Sequence, residues 1–473
     1  ISRQLLWGHQ IPVWYHKEDK SKLHVSVNGP DDIENWERDN DVLDTWASSW
    51  IWPIGVHDWP QESEELNKFF PTNTLVTGPD IIFFWVARMI VTGYEFLDEK
   101  PFNDVYFTSI LRDETGKKLS KSLGNSPDPL DLFEEYGTDA VRFGIMLMAP
   151  QGLDVLFSKE RLEIGRNFMN KLWNACRFIS MNKPDDWSED YSFGQKELRL
   201  PDQWIIGRLN RAIKNYNKQI DRFHFNEAAK VLYDYIWSDF CDWYIEIAKT
   251  RFYSEDQNSK IITYEVCISC IKKILPLLHP LTPFITEELW SFFKSKSDND
   301  LIISPWPVLE KNLVDDEINK EMIILQDVIS SIRTIRSRMN IPPSKKIDLV
   351  IKCDDDRAEF VHQNSELIII LARLESYSTA VGAQKPPQSA TSIVQGMELY
   401  IPLGGLVDLD EEKRQLNKRK NKIKSLLLDI KKKLSNKNFV DRAPKDIVKR
   451  EEDKSNDLKD ELVKIDSNLE ILI

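Results

Sequence analysis

Among residues 403–473, Leu409, Leu416, Ile423 and Ile430 recur at every seventh position, and Leu406, Leu427 and Leu434 occupy the companion heptad position. An apolar period of about 3.5 residues is the seam of a helix that packs along another helix. The pattern breaks over residues 436–444 and resumes at Leu458, Leu462, Ile465, Leu469 and Leu472. Two heptad helices with a short connector predict an antiparallel helical hairpin, a coiled coil closed within one chain; a dimerisation arm is the alternative. Between Lys413 and Arg450 basic residues dominate, Lys418, Arg419 and Lys422 among them, whereas the chain as a whole carries a net charge of −13. An acidic body with one basic appendage suits a protein that touches a polyanion at a defined place.

Upstream, the apolar period changes. Leu209, Ala212, Ile213, Tyr216 and Ile220 form one stripe at helical spacing, and Phe225, Ala228, Ala229, Leu232, Ile236 and Phe240 form a second. Each predicts a helix burying one face, so residues 156–320 are expected to form a helix bundle. Thr282 before Pro283 predicts a helix start, with a capping hydroxyl and a proline in the first turn. Residues 1–155 instead mix short apolar runs with loops rich in Pro, Gly and Asp. Residues 74–76 and 105–108 read as buried strands and 81–91 as a helix stopped by Gly93, the alternation of an α/β domain. Residues 321–402 read as a small mixed segment. A helix over 326–339 ends before Pro342 and Pro343, strands occupy 347–351 and 398–402, and a loop covers 380–392. A chain of 473 residues needs more than one core, and the expected class is α/β plus all-α in these four parts.

Composition excludes several classes. No stretch approaches the roughly 18 consecutive apolar residues of a membrane span. Five cysteines (Cys176, Cys241, Cys267, Cys270, Cys353) are too few for a disulfide framework, which predicts a reducing, cytoplasmic setting. Cys267 and Cys270 form a CxxC, but no second ligand pair stands at zinc spacing, and the pair falls within a helical pattern. They are read as packing residues, and no metal site is assigned. The sequence opens on Ile1 without a signal-like segment and is expected to start within a longer protein.

The sharpest chemical signal is residues 116–125, Gly-Lys-Lys-Leu-Ser-Lys-Ser-Leu-Gly-Asn. Lys118 and Lys121, with Ser120 and Ser122 between glycines, make a cationic loop able to close over a triphosphate. Its ammonium groups offset charge that builds up as the α-phosphate is attacked, and the glycines let backbone N–H groups approach phosphate oxygens. Alone, a Lys/Ser/Gly cluster is a solvated surface loop. In context, residues 118–122 resemble the KMSKS signature of class I aminoacyl-tRNA synthetases, with Leu119 in place of methionine. Residues 136–142 (Tyr-Gly-Thr-Asp-Ala-Val-Arg) resemble the family's continuation. The resemblance implies a Rossmann-like catalytic domain whose C-terminal half is residues 1–155. ATP, accompanied by Mg2+, would bind at Lys118, Ser120, Lys121 and Ser122. Lys121 would stabilise the transition state of adenylate formation, with Lys118 assisting.

Residues 77–85 (Thr-Gly-Pro-Asp-Ile-Ile-Phe-Phe-Trp) resemble the valyl branch of that family, which usually has Phe where Pro79 stands. The resemblance makes Asp80 a partner for the substrate ammonium, on the premise that a buried carboxylate needs a cation. It makes Trp46, Ile81 and Trp85 walls of an apolar amino-acid pocket. Ala47 stands where the family usually has Phe, which bears on pocket shape. Residues 1–15 resemble the point where the valyl enzymes re-enter the catalytic fold after the editing insertion. His9 there is read as structural, not as part of the HIGH signature. Residues 167–175, 240–246 and 278–290 resemble the anticodon-binding bundle, and 405–444 the valyl tRNA-binding arm. Arg333 and Arg336, with Lys418, Arg419 and Lys422, are candidate contacts to the tRNA backbone. The function implied is ATP-dependent activation of valine and its transfer to tRNA-Val, by a monomer when full length. This sequence holds no HIGH element and no editing domain, so the chain alone is expected to be inactive and unable to hydrolyse threonyl-tRNA. An inactive tRNA-binding module and an isoleucyl enzyme remain alternatives. Half a parallel sheet would leave strand edges and apolar surface exposed, which predicts association.

Overall fold

The computed structural model describes residues 8–113, 115–120, 123–149, 154–191, 194, 197–309, 316–406 and 409–435, together with 449 and ten positions between 453 and 469. Its contacts separate two units, Ile1–Asn167 with Asn215–Val231, and Phe168–Lys214 with Leu232–Ile473.

The first unit opens with β1 (Val13–His16), β2 (Leu23–Val25) and β3 (Trp36–Arg38), an antiparallel sheet in the order β2-β1-β3. Short helices α1 (Thr45–Trp50), α2 (Trp52–Gly55) and α3 (Glu64–Phe69) lead to β4 (Thr72–Thr77), which pairs in parallel with β5 (Phe102–Phe107). Parallel neighbours need a crossover. Here it is α4 (Ala87–Leu97), entered through a 3-10 turn at Pro79–Ile81 and a π-helical stretch at Ile82–Val86. Val86, Met89 and Phe102 form the buried core of this βαβ unit, with Leu75, Val105 and Phe107 against it. Gly93 does not stop the helix as expected. A Cβ there would lie 2.8 Å from the Glu99 carbonyl oxygen, so glycine serves close packing, and the helix ends at Asp98 in the left-handed conformation (φ 54°). Next come β6 (Leu111–Arg112), α5 (Pro129–Tyr136), α6 (Thr138–Met148) and β7 (Val155–Leu156), with β6 and β7 parallel. The long helix α7 (Lys159–Met181) starts hard against α6, where a Cβ at Gly165 would sit 2.2 Å from the Ala140 carbonyl oxygen.

Helices dominate the second unit. They include α8 (Leu200–Ile220), whose end from Asn215 belongs to the first unit, α9 (Phe225–Asp234), which joins the second unit from Leu232 and runs through a π-helical stretch at Tyr235–Tyr244 into α10 (Ile245–Phe252), α11 (Gln257–Leu278) and α12 (Pro283–Phe293). Both apolar stripes turn inward: Leu209, Ile213, Tyr216, Ala228, Ala229, Leu232, Ile236 and Phe240 are all buried. Thr282 occupies the cap position before Pro283, but its hydroxyl donates to the Leu278 carbonyl and caps nothing. All five cysteines are free and buried, and no group of metal-ligating side chains occurs among the described residues.

After α13 (Asp316–Arg338) come β8 (Ile347–Lys352), α14 (Asp355–Gln363), α15 (Ser365–Ala372), β9 (Leu374–Ala380), β10 (Ser389–Val394) and β11 (Met397–Pro402). The four strands form one sheet in the order β10-β11-β8-β9, with β8 and β9 parallel. The loop expected over 380–392 is shorter than that. Ser389 and Ala390 are buried and already paired with Pro402 and Ile401, because small residues fit where the sheet is covered. In α16 (Leu409–Ser435), Ile423 and Ile430 form a core with Leu458, and Leu462 and Leu469 pack against it. Lys420 pairs with Asp466 at 2.6 Å. The connector at 436–444 lies outside the described residues. No described helix is long and apolar enough to cross a membrane.

Candidate functional site

The signature loop springs from β6. Its geometry is set by one carboxylate. Asp113 accepts hydrogen bonds from the Thr115 N–H (2.9 Å) and hydroxyl (2.7 Å), the Lys117 N–H (2.9 Å) and the Asn125 side-chain amide (2.7 Å). The Thr115 hydroxyl, the Asn125 amide and the Lys117 N–H together hold the Asp113 carboxyl down at about 2. Asn125 completes the tie: its side-chain oxygen accepts from the Ser120 N–H at 2.9 Å, and its amide reaches the Lys118 carbonyl at 3.3 Å. Gly116 (φ +84°) supplies the left-handed turn between the two sides. Arg112 pairs with Asp154 and donates to the Gly116 carbonyl at 3.2 Å, fixing the loop's root to the segment before β7. The sequence reading included Asn125 in the signature stretch without giving it a role, and it missed Asp113. The signal was there, since an Asp two residues before Thr and three before Gly is a pattern for an Asx turn.

Lys118 projects from this frame into solvent. Its ammonium lies 3.5 Å from Asp80 Oδ2, and both side chains are about two-thirds exposed (62% and 66%). Asp80 is therefore not the buried carboxylate expected. It stands in the 3-10 turn after β4, in reach of the loop lysine. Lys121 and Ser122 fall outside the described residues, and Ser120 is half-buried.

Asp80 and Ile81 follow the carboxyl end of parallel strand β4, the usual place for a ligand on such a sheet. Nearby, Trp46 of α1 stacks on Phe84, with ring centres 6.0 Å apart. The Trp85 indole N–H donates to the Ser49 carbonyl at 2.9 Å. Two tryptophans thus tie α1 to the helix after β4, and the structure brings Trp46 and Trp85 to the same junction. Ile81 and Trp85 remain half-buried, while Phe83 and Phe84 face solvent. Thr77, at the strand's end, is buried with its hydroxyl lacking a protein partner among the described residues.

The candidate nucleic-acid contacts separate into two kinds. Lys418, Arg419 and Lys422 are exposed on α16, and Arg333 is exposed on α13. Arg336 is buried, and its guanidinium donates inward to the carbonyls of Pro342, Lys345 and Arg373. The expected outward-facing phosphate contact at Arg336 is instead a brace between α13 and the loop before β8.

Comparison with known proteins gives three consecutive matches. Residues 1–158 match tRNA synthetases class I (I, L, M and V), 202–351 match the anticodon-binding domain of tRNA ligase, and 408–472 match the valyl tRNA synthetase tRNA binding arm. The fold is class I synthetase-like: the LeuRS in a crystal structure of the Agrobacterium radiobacter K84 LeuRS-tRNA-LeuAMS complex superposes with a TM-score of 0.51 at 20% identity, over 66% of this chain and 43% of that one. In this order, the matched segments define a class I aminoacyl-tRNA synthetase sequence. Within that class, the chain corresponds to the C-terminal region of the valyl-tRNA synthetases. It is 43% identical to valine–tRNA ligase of Bacillus cereus over 460 residues, 97% of this chain and 52% of the relative. To the valine–tRNA ligase of Oceanobacillus iheyensis it is 42% identical over 472 residues, 99% of this chain and 53% of the relative. The chain thus spans about half the length of the curated relatives it matches.

Proposed function

We propose that this chain supplies the signature-loop and tRNA-binding half of a valine–tRNA ligase that works in the cytoplasm. The observation that carries this reading is the collinear identity to valine–tRNA ligases, 43% over 97% of the chain, ending in a match specific to the valyl arm. In the proposed reaction the valine carboxylate attacks the ATP α-phosphate, pyrophosphate leaves, and the tRNA 3′-terminal hydroxyl then displaces AMP from the acyl group. Mg2+ accompanying ATP would supply charge that offsets the phosphates, and no protein ligand for it is assigned among the described residues.

The chain's own residues have three tasks. Lys118 and Lys121 place positive charge beside the triphosphate, where negative charge moves onto the leaving pyrophosphate. Asp113 and Asn125 hold the loop that carries these lysines. Asp80 offers a carboxylate to the valine ammonium, while Trp46, Ile81 and Trp85 border its side chain. Lys118 lies 3.5 Å from Asp80 with both side chains largely exposed, a solvent-screened pair that arriving substrates can separate at little cost. In the second unit, the bundle faces the anticodon stem. Residues 403–473 form an antiparallel coiled-coil arm, supported by the shared core of Ile423, Ile430 and Leu458, with Lys418, Arg419 and Lys422 toward the tRNA backbone.

The half-length coverage favours one other reading, a tRNA-binding module that activates nothing. Valine-dependent ATP–pyrophosphate exchange, measured on this chain and on its coding sequence extended upstream, separates them. Exchange in the extended form that Lys118→Ala and Lys121→Ala abolish supports the ligase. Tight tRNA binding without exchange in either form supports the module, and exchange with isoleucine in preference to valine refutes the substrate.

A further inference from the structure

A groove of about 580 Å³ opens beside the C-terminal end of α13, lined by Arg333, Arg336, Ser337, Asn340, the Pro342–Pro343 turn and Arg373. Three guanidinium groups share it, and their hydrogen bonds go to backbone carbonyls rather than to carboxylates. Arg333 donates to Leu371 (3.2 Å), Arg373 to Pro343 (2.6 Å), and Arg336 to Pro342 and Lys345 (2.9 and 2.6 Å). Among the described residues none of the three forms an ion pair. Glu246, whose field reaches Arg333, is itself held by Lys249 at 2.5 Å. Carbonyls orient a guanidinium without cancelling its charge, so the positive charge stays in the groove. The crowding registers in the groups themselves: burial first, and then the charge of Arg373, lowers the proton affinity of Arg336. Arg333 is further steadied over the Trp243 ring, 5.6 Å from its centre.

Arg373 is the telling member. It ends α15 in the left-handed conformation (φ 58°), where glycine is favoured, and presents an exposed side chain to the groove. Its position lies between the anticodon-binding match, which ends at residue 351, and the arm match, which begins at 408.

We propose that the Arg333–Arg336–Arg373 groove binds a phosphodiester of an RNA backbone, extending the nucleic-acid surface into the small mixed segment. Arg333 and Arg373 bear on the phosphate, and Arg336 is the positioning residue that anchors the groove wall. RNA is favoured over a small anion because the groove continues from α13, inside the anticodon-binding match. The inference rests on the reading that the chain binds tRNA.

The test is fluorescence anisotropy of the full chain with a labelled tRNA-Val transcript across a salt series. Arg333→Gln and Arg373→Gln keep a donor for the carbonyl but remove the charge. Ser337→Glu leaves every arginine in place and adds a carboxylate to the groove, so it remains informative if an arginine variant is unstable. The expected result is several-fold weaker binding in all three. Each lost contact should also make the dependence of log affinity on log salt shallower by about one. Wild-type binding with unchanged affinity and slope in the variants overturns the proposal and leaves tRNA binding intact. Failure of the wild-type chain to bind any tRNA overturns the underlying reading, and this inference with it. A third outcome, thermal stabilisation by inorganic phosphate that Arg373→Gln removes while RNA affinity stays constant, overturns the RNA assignment in favour of a free-anion site.

Discussion

Replacing Arg251 by methionine should cost the helical unit more than any loss of surface charge. Arg251 is 6% exposed and Asp202 is fully buried. Arg251 Nη1 donates to both Asp202 oxygens at 2.8 and 2.7 Å, while Nε and Nη2 reach the Ser259 hydroxyl and carbonyl at 2.7 and 3.2 Å. Asp202 also accepts from the Tyr244 hydroxyl (2.6 Å) and the Arg199 N–H (3.0 Å). Burial, and then the Asp202 charge, push the Tyr244 phenol well up, so it stays a donor. Methionine keeps most of the arginine stem's volume but leaves a buried carboxylate with neutral donors alone. Breaking such a pair costs about 3–5 kcal/mol. The orphaned Ser259 groups fall within that range. Adding Asp202→Asn should recover a large part, because the penalty lies in the uncompensated charge and not in a lost attraction. Urea titrations followed by far-ultraviolet circular dichroism, on wild type, Arg251→Met and Asp202→Asn/Arg251→Met, give the comparison. A single variant as stable as wild type, or a double variant no better than the single, would refute the reasoning.

Three other outcomes can be checked directly. Asp113→Asn should speed tryptic cleavage after Lys117 and Lys118 several-fold. Because the folded Asp113 carboxyl titrates at about 2, below its ordinary 3.8, its contribution is complete above 3.8 and disappears as pH falls through 2, so protection of the wild-type loop should be flat across neutral pH. A wild-type cleavage rate that changes between mildly acidic and neutral pH, after correction for the protease, would contradict this. The buried cysteines should resist a water-soluble disulfide reagent: burial raises the Cys267 and Cys176 thiols well above their usual range and Cys241 and Cys270 to about 12. Stoichiometric labelling without unfolding would count against the buried placement. Phe83 is 80% exposed, Val91 66% and Val76 58%, so the chain should self-associate in light scattering, and Phe83→Asp with Val91→Asp should reduce the association. A monodisperse wild-type monomer at all concentrations would overturn that.

What was legible in the sequence was what repeats. The stripes at Leu209 and Phe225 and the heptads at Ile423 and Ile430 each bury one face, and a buried face writes its period into the residues. What was not legible depended on neighbours far along the chain. Ser389 and Ala390 look like loop residues, yet they are covered strand positions paired with β11. Gly93 looks like a helix stop, yet the returning chain at Glu99 passes too close for a Cβ. In the candidate site, the lysine loop stood out by its resemblance to a family signature and not by composition alone, and Asp80 was misjudged as buried because exposure is a property of the surrounding fold and not of the motif. Arg336 was misjudged the other way: an arginine near a helix end looks solvated until three carbonyls converge on it.

The Asp113 tie bears on how the signature loop would answer a ligand. A lysine on a slack segment loses many backbone states when it settles on a phosphate, and that loss is subtracted from affinity. Here the Asp113 carboxylate and the Asn125 amide have already removed most of those states, from Thr115 through Ser120, before any ligand arrives. Lys118 is therefore carried on a braced segment whose root is fixed by Arg112. If Lys118 meets a phosphate as proposed, what remains to be ordered is chiefly the lysine side chain, and more of the attraction between ammonium and phosphate is left for the step in which the charge moves.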